Sequence, residues 1–204
     1  MKTKNIYIIR HGQTDFNKKN MVQGRGVDSS LNELGRFQAA QFHAVYKKIK
    51  FDKIYTSTLK RTIESVALFL ADGIASEPLP GLDEISWGSH EGQPYDQLRH
   101  GKYLDGLEQW KKGNIDYRVG GGETPLEVAE RQKQAIEYLL SKPEEETILI
   151  AMHGRAMRIM LCWMENRPLK EADRYEHSNL CLYHLTHDGR QFEIIKANES
   201  SHIQ

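Results

Sequence analysis

Apolar residues along the chain follow two kinds of repeat, and their alternation predicts the fold. Three short runs, Asn5 to Ile9, Lys53 to Thr56 and Thr147 to Met152, are rich in Ile, Leu, Tyr or Thr, and each stops at a polar cluster. Runs of that kind suit parallel strands covered on both faces. Between them the spacing becomes helical. Leu34, Phe37, Ala40, Ala44 and Ile49 share one helical face, and Ile63, Val66, Ala67 and Leu70 repeat at i, i+3, i+4 and i+7. Val128, Ala129, Ala135, Ile136, Leu139 and Leu140 form a third face. Thr124-Pro125-Leu126-Glu127 opens that helix as a capping box with proline at its first position. Leu180 to Leu185 and Phe192 to Ala197 predict two further strands, joined by an Asp188-Gly189 turn. Strands alternating with helices predict an α/β fold, a three-layer α/β/α domain with a mostly parallel central sheet.

The stretch from Pro78 to Gly122 breaks this rhythm. It is rich in glycine and has little clean periodicity. It reads as a long excursion over the sheet, suited to a lid or specificity loop. Residues 1–204 otherwise read as a single domain, with that excursion around 78–122.

Composition narrows the function classes. The chain has 204 residues, with 28 Lys plus Arg against 28 Asp plus Glu, so its formal net charge is zero. That balance argues against a general nucleic-acid or membrane-surface binder, and any anion specificity must come from a few placed residues. No apolar run approaches the ~20 residues of a membrane span. Ile6 to Ile9 is too short for a signal-peptide core, so a cytoplasmic location is expected. Cys162 and Cys181 sit among apolar residues and read as buried free thiols.

The candidate chemistry sits at the strand ends. The first run leads into Arg10-His11-Gly12 and the third into His153-Gly154-Arg155; the middle run leads into Thr56-Ser57-Thr58-Leu59-Lys60-Arg61. If the three strands are neighbours, Arg10, His11, Arg61 and His153 converge at one end of the sheet, beside helix N-termini whose amides favour anions. Such a cluster suits phosphoryl transfer, where negative charge spreads over three oxygens and arginine forks match them. A neutral imidazole can attack phosphorus directly, provided its other ring nitrogen is held, most simply by a backbone carbonyl. Adjacent arginines keep such an imidazole neutral. Asp83, Glu84 and Glu91 are candidate acids for the leaving group. His43, His90, His100, His177, His184, His187 and His202 read as surface or loop residues, and Trp87, Trp110 and Trp163 as packing residues. Gly120-Gly121-Gly122 lacks the spacing of a dinucleotide fingerprint and reads as a flexible approach to the capped helix.

At these residues the chain resembles the histidine phosphatase superfamily, the phosphoglycerate mutase-like family. Arg10-His11-Gly12-Gln13-Thr14 looks like its signature, with Asn17 at its phosphate-pocket asparagine. Asp28 to Gly35 is similar to DSPLTELG, departing at Ser30 and Asn32, and Tyr55 to Thr62 is similar to YSSDLKRA. Leu82-Asp83-Glu84-Ile85, with Trp87-Gly88 and Glu91-Gly92, resembles a pattern that makes Glu84 the proton donor. Gly121 to Thr124 stands where the family has GGES, and Met152-His153-Gly154 where it has SHG. The resemblance implies a phosphoglycerate mutase-like fold and a phosphatase of a small phosphorylated metabolite, working without metal or other cofactor as a monomer or homodimer. His11 would be the nucleophile, with Arg10, Arg61, His153 and Glu84 completing the catalytic set. Arg10, Asn17, Gln23, Gly24, Arg61, His153 and Gly154 would bind substrate. Features of the excursion resemble phosphatases of phosphosugars and of ribazole phosphate, and Tyr117-Arg118 the fructose-2,6-bisphosphatase branch. A phosphoglycerate mutase and a non-catalytic phospho-ligand binder are the alternatives. Family mutases carry longer insertions before the second His-Gly pair, which favours hydrolysis here.

Overall fold

The computed structural model describes residues 3–95 and 102–203. Among them a six-stranded sheet is formed by β1 (Lys4–Arg10), β2 (Lys53–Thr56), β3 (Ser76–Pro78), β4 (Thr147–Met152), β5 (Leu182–His187) and β6 (Phe192–Glu199), in the order β3-β2-β4-β1-β5-β6. The pairs β3/β2, β2/β4 and β4/β1 are parallel, while β1/β5 and β5/β6 are antiparallel. The helices are α1 (Asp15–Lys18), α2 (Glu33–Tyr46), α3 (Lys60–Ser65), α4 (Ala67–Ala71), α5 (Lys102–Lys112), α6 (Pro125–Leu140) and α7 (Gly154–Met164).

The three-layer arrangement follows from alternation along the central strands. Ile6, Ile8, Ile148, Ile150 and Met152 face one core, closed by Val128, Ile136, Met157 and Met160 of α6 and α7. Tyr7, Ile9, Leu149 and Ala151 face the other, closed by Phe42 of α2 and Phe69 of α4. Successive strand residues point to opposite faces, so a strand apolar at every position must be covered on both.

Several expectations are corrected. The stripe Leu34, Phe37, Ala40 and Ala44 is the exposed face of α2, with Leu34 at 46% and Phe37 at 52% exposure, and Ile49 is half-buried. The buried face is Gly35, Gln38, Ala39 and Phe42. Gly35 sets this rotation, since a Cβ there would stand 2.1 Å from the Gln13 carbonyl oxygen. Asn32 caps the helix by accepting from the Gly35 amide at 2.9 Å. In the next helical stretch Ile63 and Ala67 are exposed and Leu70 half-buried, while Arg61, Thr62, Ser65, Val66 and Phe69 are buried. In α6 the expected face is buried apart from half-buried Leu140, and Thr124 and Glu127 form the capping box. The fifth strand starts at Leu182 rather than Leu180, because Leu180 has φ +56° in a turn closed by Cys181 N donating to Ser178 O. β3 has no counterpart in the sequence pattern, because three residues ending in proline carry no strand period, and proline suits an edge.

The excursion is more ordered than its glycine content suggests. It contains α5, anchored by Trp110 stacking on Trp87 at 5.7 Å. The glycine triplet is not a flexible tether. Gly120 and Gly121 have φ of +60° and +75°, and Gly88 crosses so closely that a Cβ on it would stand 2.1 Å from the Gly120 oxygen. Residues 96–101 of the excursion, including His100, lie outside the described residues. Cys162 and Cys181 are free and buried. No described helix is long and apolar enough to cross a membrane.

Candidate active site

Because β2, β4 and β1 are neighbours, their carboxyl ends deliver three loops to one place. The His11 amide donates to Met152 O at 2.9 Å and the Ser57 amide to Ala151 O at 3.2 Å, so the sheet pattern runs one residue past each strand. His11 and His153 follow β1 and β4, with ring centroids 5.2 Å apart. Arg61 comes from the first turn of α3. The Gly12-Gln13 segment is clamped to the start of α2, with Asn32 N donating to Gln13 O at 2.9 Å and Asn32 Nδ2 to Gln13 Oε1 at 2.9 Å.

The His11 ring is oriented by its own backbone. Nδ1 lies 2.7 Å from the Gly12 carbonyl, which can only accept, so Nδ1 carries the proton and Nε2 the lone pair. Burial, then the charges of Arg61 and Arg10, hold His11 well below the usual histidine range. The ring is therefore neutral at physiological pH. His11 lines a cavity of about 620 Å³ together with Arg10, Asn17, Glu84 and Gly154.

Arg10 gives one donor to His177 Nδ1 at 3.1 Å, and its buried Nε has no partner among the described residues. An unpaired buried donor is costly unless an anion satisfies it. Asn17 Oδ1 accepts from the Thr14 amide at 3.1 Å and from Asn179 Nδ2 at 3.3 Å, so its NH₂ group is the end without a partner among the described residues. Gln23 also lines the cavity, its Oε1 accepting from Thr14 Oγ1 at 2.9 Å and Ser29 Oγ at 2.8 Å.

Arg61 and His153 join His11 at the strand ends, but from the core side rather than the cavity wall. They are fully buried behind His11 and do not line the cavity. Arg61 Nε donates to His153 Nδ1 at 3.1 Å, Nη1 to Val27 O at 2.5 Å and Nη2 to Gly24 O at 3.2 Å. With Nδ1 accepting, His153 keeps its proton on Nε2, which donates to Ser57 Oγ at 2.7 Å. Burial, then Arg61, keeps His153 neutral too. Gly24 holds Arg61 through its carbonyl and also stays off the cavity wall.

The three acidic candidates separate cleanly. Asp83 accepts from Thr58 N at 2.8 Å and pairs with Arg25 at 3.2 Å, which makes it a loop fastener. Glu91 accepts from Trp87 N at 2.9 Å and Ser86 Oγ at 3.2 Å. Glu84 alone of the three lines the cavity. Its carboxylate caps α7, accepting from Ala156 N at 2.8 Å and Arg155 N at 3.1 Å. No group of three or more His, Cys, Asp or Glu among the described residues could hold a metal ion.

This cluster of a held imidazole, an unpaired arginine donor and a helix-capping carboxylate lies inside a matched segment. A family model of the histidine phosphatase superfamily (branch 1) matches residues 6–200. The chain belongs to the histidine phosphatase superfamily. A superfamily relative named Probable phosphoglycerate mutase GpmB, from Cronobacter sakazakii, is 32% identical over 183 residues, covering 87% of this chain and 82% of its own. Fructose-2,6-bisphosphatase TIGAR B of Danio rerio is 30% identical over 162 residues, 77% of this chain and 59% of that protein. The solved structure of Bacillus stearothermophilus YhfR superposes with a TM-score of 0.87 at 26% identity, covering 98% of this chain and 100% of that one.

Several residues that line the cavity were not among the expected site residues, Arg155, Arg158, His177 and Asn179 among them. Arg155 and Arg158 lie on the first turns of α7, and Arg155 directly follows the His153-Gly154 pair. His177 was read as a surface residue, yet it receives the Arg10 donor and sits over Gly154, where a Cβ would come within 2.7 Å of its ring. Asn179 donates to the His11 carbonyl at 3.0 Å. The last two belong to the loop before β5, where no periodicity marks them.

Proposed function

We propose that the chain is a metal-independent phosphatase of a small phosphomonoester, working through a phosphohistidine on His11. The observation that carries this reading is the His11 ring, neutral and fixed with its Nε2 lone pair at the cavity beside Arg10. In the first step Nε2 attacks phosphorus as the bond to the leaving oxygen breaks, and Glu84 gives that oxygen its proton. In the second, Glu84 takes a proton from water, which attacks phosphorus, breaks the N–P bond and releases inorganic phosphate. Arg10 and the Asn17 amide hold the phosphoryl oxygens, while Arg61 acts from behind by its charge, supplying the positive field a metal gives other phosphotransferases.

The test is turnover of an aryl phosphate under exhaustive chelation, with acid-labile, base-stable phosphoenzyme trapped by rapid quenching. Wild type turns over and traps label. His11→Ala loses several powers of ten in rate, about 5 kcal/mol or more of barrier, and traps none. Trapping in His11→Ala, or metal-restored activity, overturns the reading. The relative named as a phosphoglycerate mutase favours a second reading, in which the phosphoryl group returns to substrate. Rapid interconversion of 3- and 2-phosphoglycerate with little phosphate release establishes that one instead.

A further inference from the structure

The segment after β6 returns to the back of the active site. We propose that His202 is a positioning residue for the reaction at His11, clamping Leu180 in the backbone conformation that aims Asn179 and His177 at the site. The kinetic part of its test rests on the phosphatase reading above; the geometry of the clamp does not.

Leu180 is fully buried with φ +56°, in the left-handed region where a Cβ crowds the following carbonyl. A leucine stays there only when its surroundings hold it, and such strain gathers at functional sites. Its amide donates to Arg10 O at 3.1 Å, and the Arg10 amide donates to Cys181 O at 3.3 Å. Its side chain lies against Gly12, where an added Cβ would come within 3.0 Å of a Leu180 methyl. Its carbonyl accepts from His202 Nε2 at 2.8 Å. The residues just before it serve the site. His177 Nδ1 accepts from Arg10, and Asn179 Nδ2 donates to His11 O at 3.0 Å and to Asn17 Oδ1 at 3.3 Å. A turn of Leu180 out of the left-handed region would swing Asn179 away from both.

The surroundings of His202 point to this bond rather than to packing. Its sequence position suggested a surface or loop residue, yet it is only 7% exposed. Its ring lies edge-on to Phe42 and Tyr46, with centroids 5.3 Å from each. A space of that kind suits an apolar side chain. His202 instead buries two ring nitrogens there, and Nδ1 has no partner among the described residues. Burying an unpaired polar atom is costly, and the bond from Nε2 is what offsets it. The Leu180 carbonyl can only accept, so Nε2 carries the proton and Nδ1 the lone pair. A turn presents the ring, with Ser201 N donating to Glu199 Oε1 at 2.8 Å and Ile203 N to Ser200 O at 3.0 Å. The chain of contacts therefore runs from His202 through Leu180 and Asn179 to the backbone of His11.

The experiment separates the donor from the ring. His202→Gln keeps an N–H at the reach of Nε2, whereas His202→Met fills the same space without one. On an aryl phosphate, His202→Met should lower kcat by about tenfold or more with KM nearly unchanged, because a misplaced nucleophile weakens the transition state alone. His202→Gln should keep most of the wild-type kcat. Rates are measured well below each variant's melting temperature, where a merely structural role would leave kcat intact. An unchanged kcat in His202→Met, or equal losses in both variants, overturns the inference. Should the methionine variant not fold, Leu180 supplies a second pair. Leu180→Gly reaches the left-handed region freely and Leu180→Ala does not, so the glycine variant should keep the higher kcat. An alanine variant that does as well overturns the inference. If wild type hydrolyses nothing, the phosphatase reading falls, and the proton resonance of His11 Nδ1 decides the clamp by itself. That resonance should shift in His202→Met and stay in place in His202→Gln. A resonance that His202→Met leaves unmoved overturns the clamp.

Discussion

Glu84 shows how one side chain can hold structure and chemistry together. Its carboxylate caps α7 through two amides of that helix while facing the cavity that contains His11. A proton donor matters most when the leaving group is poor, since a good one departs without help. Glu84→Gln should therefore slow alkyl phosphate hydrolysis by about a hundredfold or more while slowing aryl phosphate hydrolysis far less. Parallel kinetics on the two substrates check this, and equal losses would point to a positioning role. At this scale His11 and Arg10 were legible as strand-end residues of the right chemistry, and Asn17 only through the family resemblance. The retreat of Arg61 and His153 was not, because it depends on Gly24 O, Val27 O and Ser57 Oγ, acceptors from loops that only the fold brings near.

At the scale of elements, Arg131 of α6 ties the Glu84 loop in place. Its guanidinium donates to Gly81 O and Asp83 O at 2.9 Å, to Glu84 O at 3.1 Å and to Glu123 at 2.9 and 3.1 Å. Removing it takes the Arg131 donors from three carbonyls and leaves Glu123 with only the Ser86 amide and Arg25. Arg131→Met should cost about 3 kcal/mol in denaturant unfolding and lower kcat on alkyl phosphates. Lysine should rescue little, since it lacks the fork. The rotation of α2 is another element-scale outcome. Its apolar pattern pointed to the stripe through Leu34 and Phe37, and the close approach of Gly35 to Gln13 turned the face carrying Phe42 inward instead.

For the whole molecule, burying neutral histidines makes stability pH-dependent. His11 and His153 are held well below the usual histidine range by burial and then Arg61, and His177 is pushed down to about 3 by burial and then Arg10. A histidine whose folded value lies below its unfolded value contributes fully above the unfolded value, near 6.5. It loses that contribution as pH falls, because the unfolded chain takes up the proton first. Between pH 7 and pH 5 His177 alone costs about 2 kcal/mol, and the two active-site histidines act in the same direction. Denaturant midpoints should fall steeply over that window. His177→Asn should flatten the fall, and a flat wild-type profile would show that the rings are not held neutral.

Local chemistry determined much of this protein before any fold was known. Strand cores, the Thr124 capping box, the Asp188-Gly189 turn and the strand-end Arg-His-Gly cluster depend on neighbours a few residues away, and such neighbours are written in sequence. The tertiary structure decided what depends on distant contacts. It turned α2 by a single glycine, buried Arg61 behind His11, and set Arg155 and Arg158 against Asp173 in the cavity of His11. Those outcomes are set by which backbones approach closely and which charges share a desolvated space, and neither carries a period along the chain.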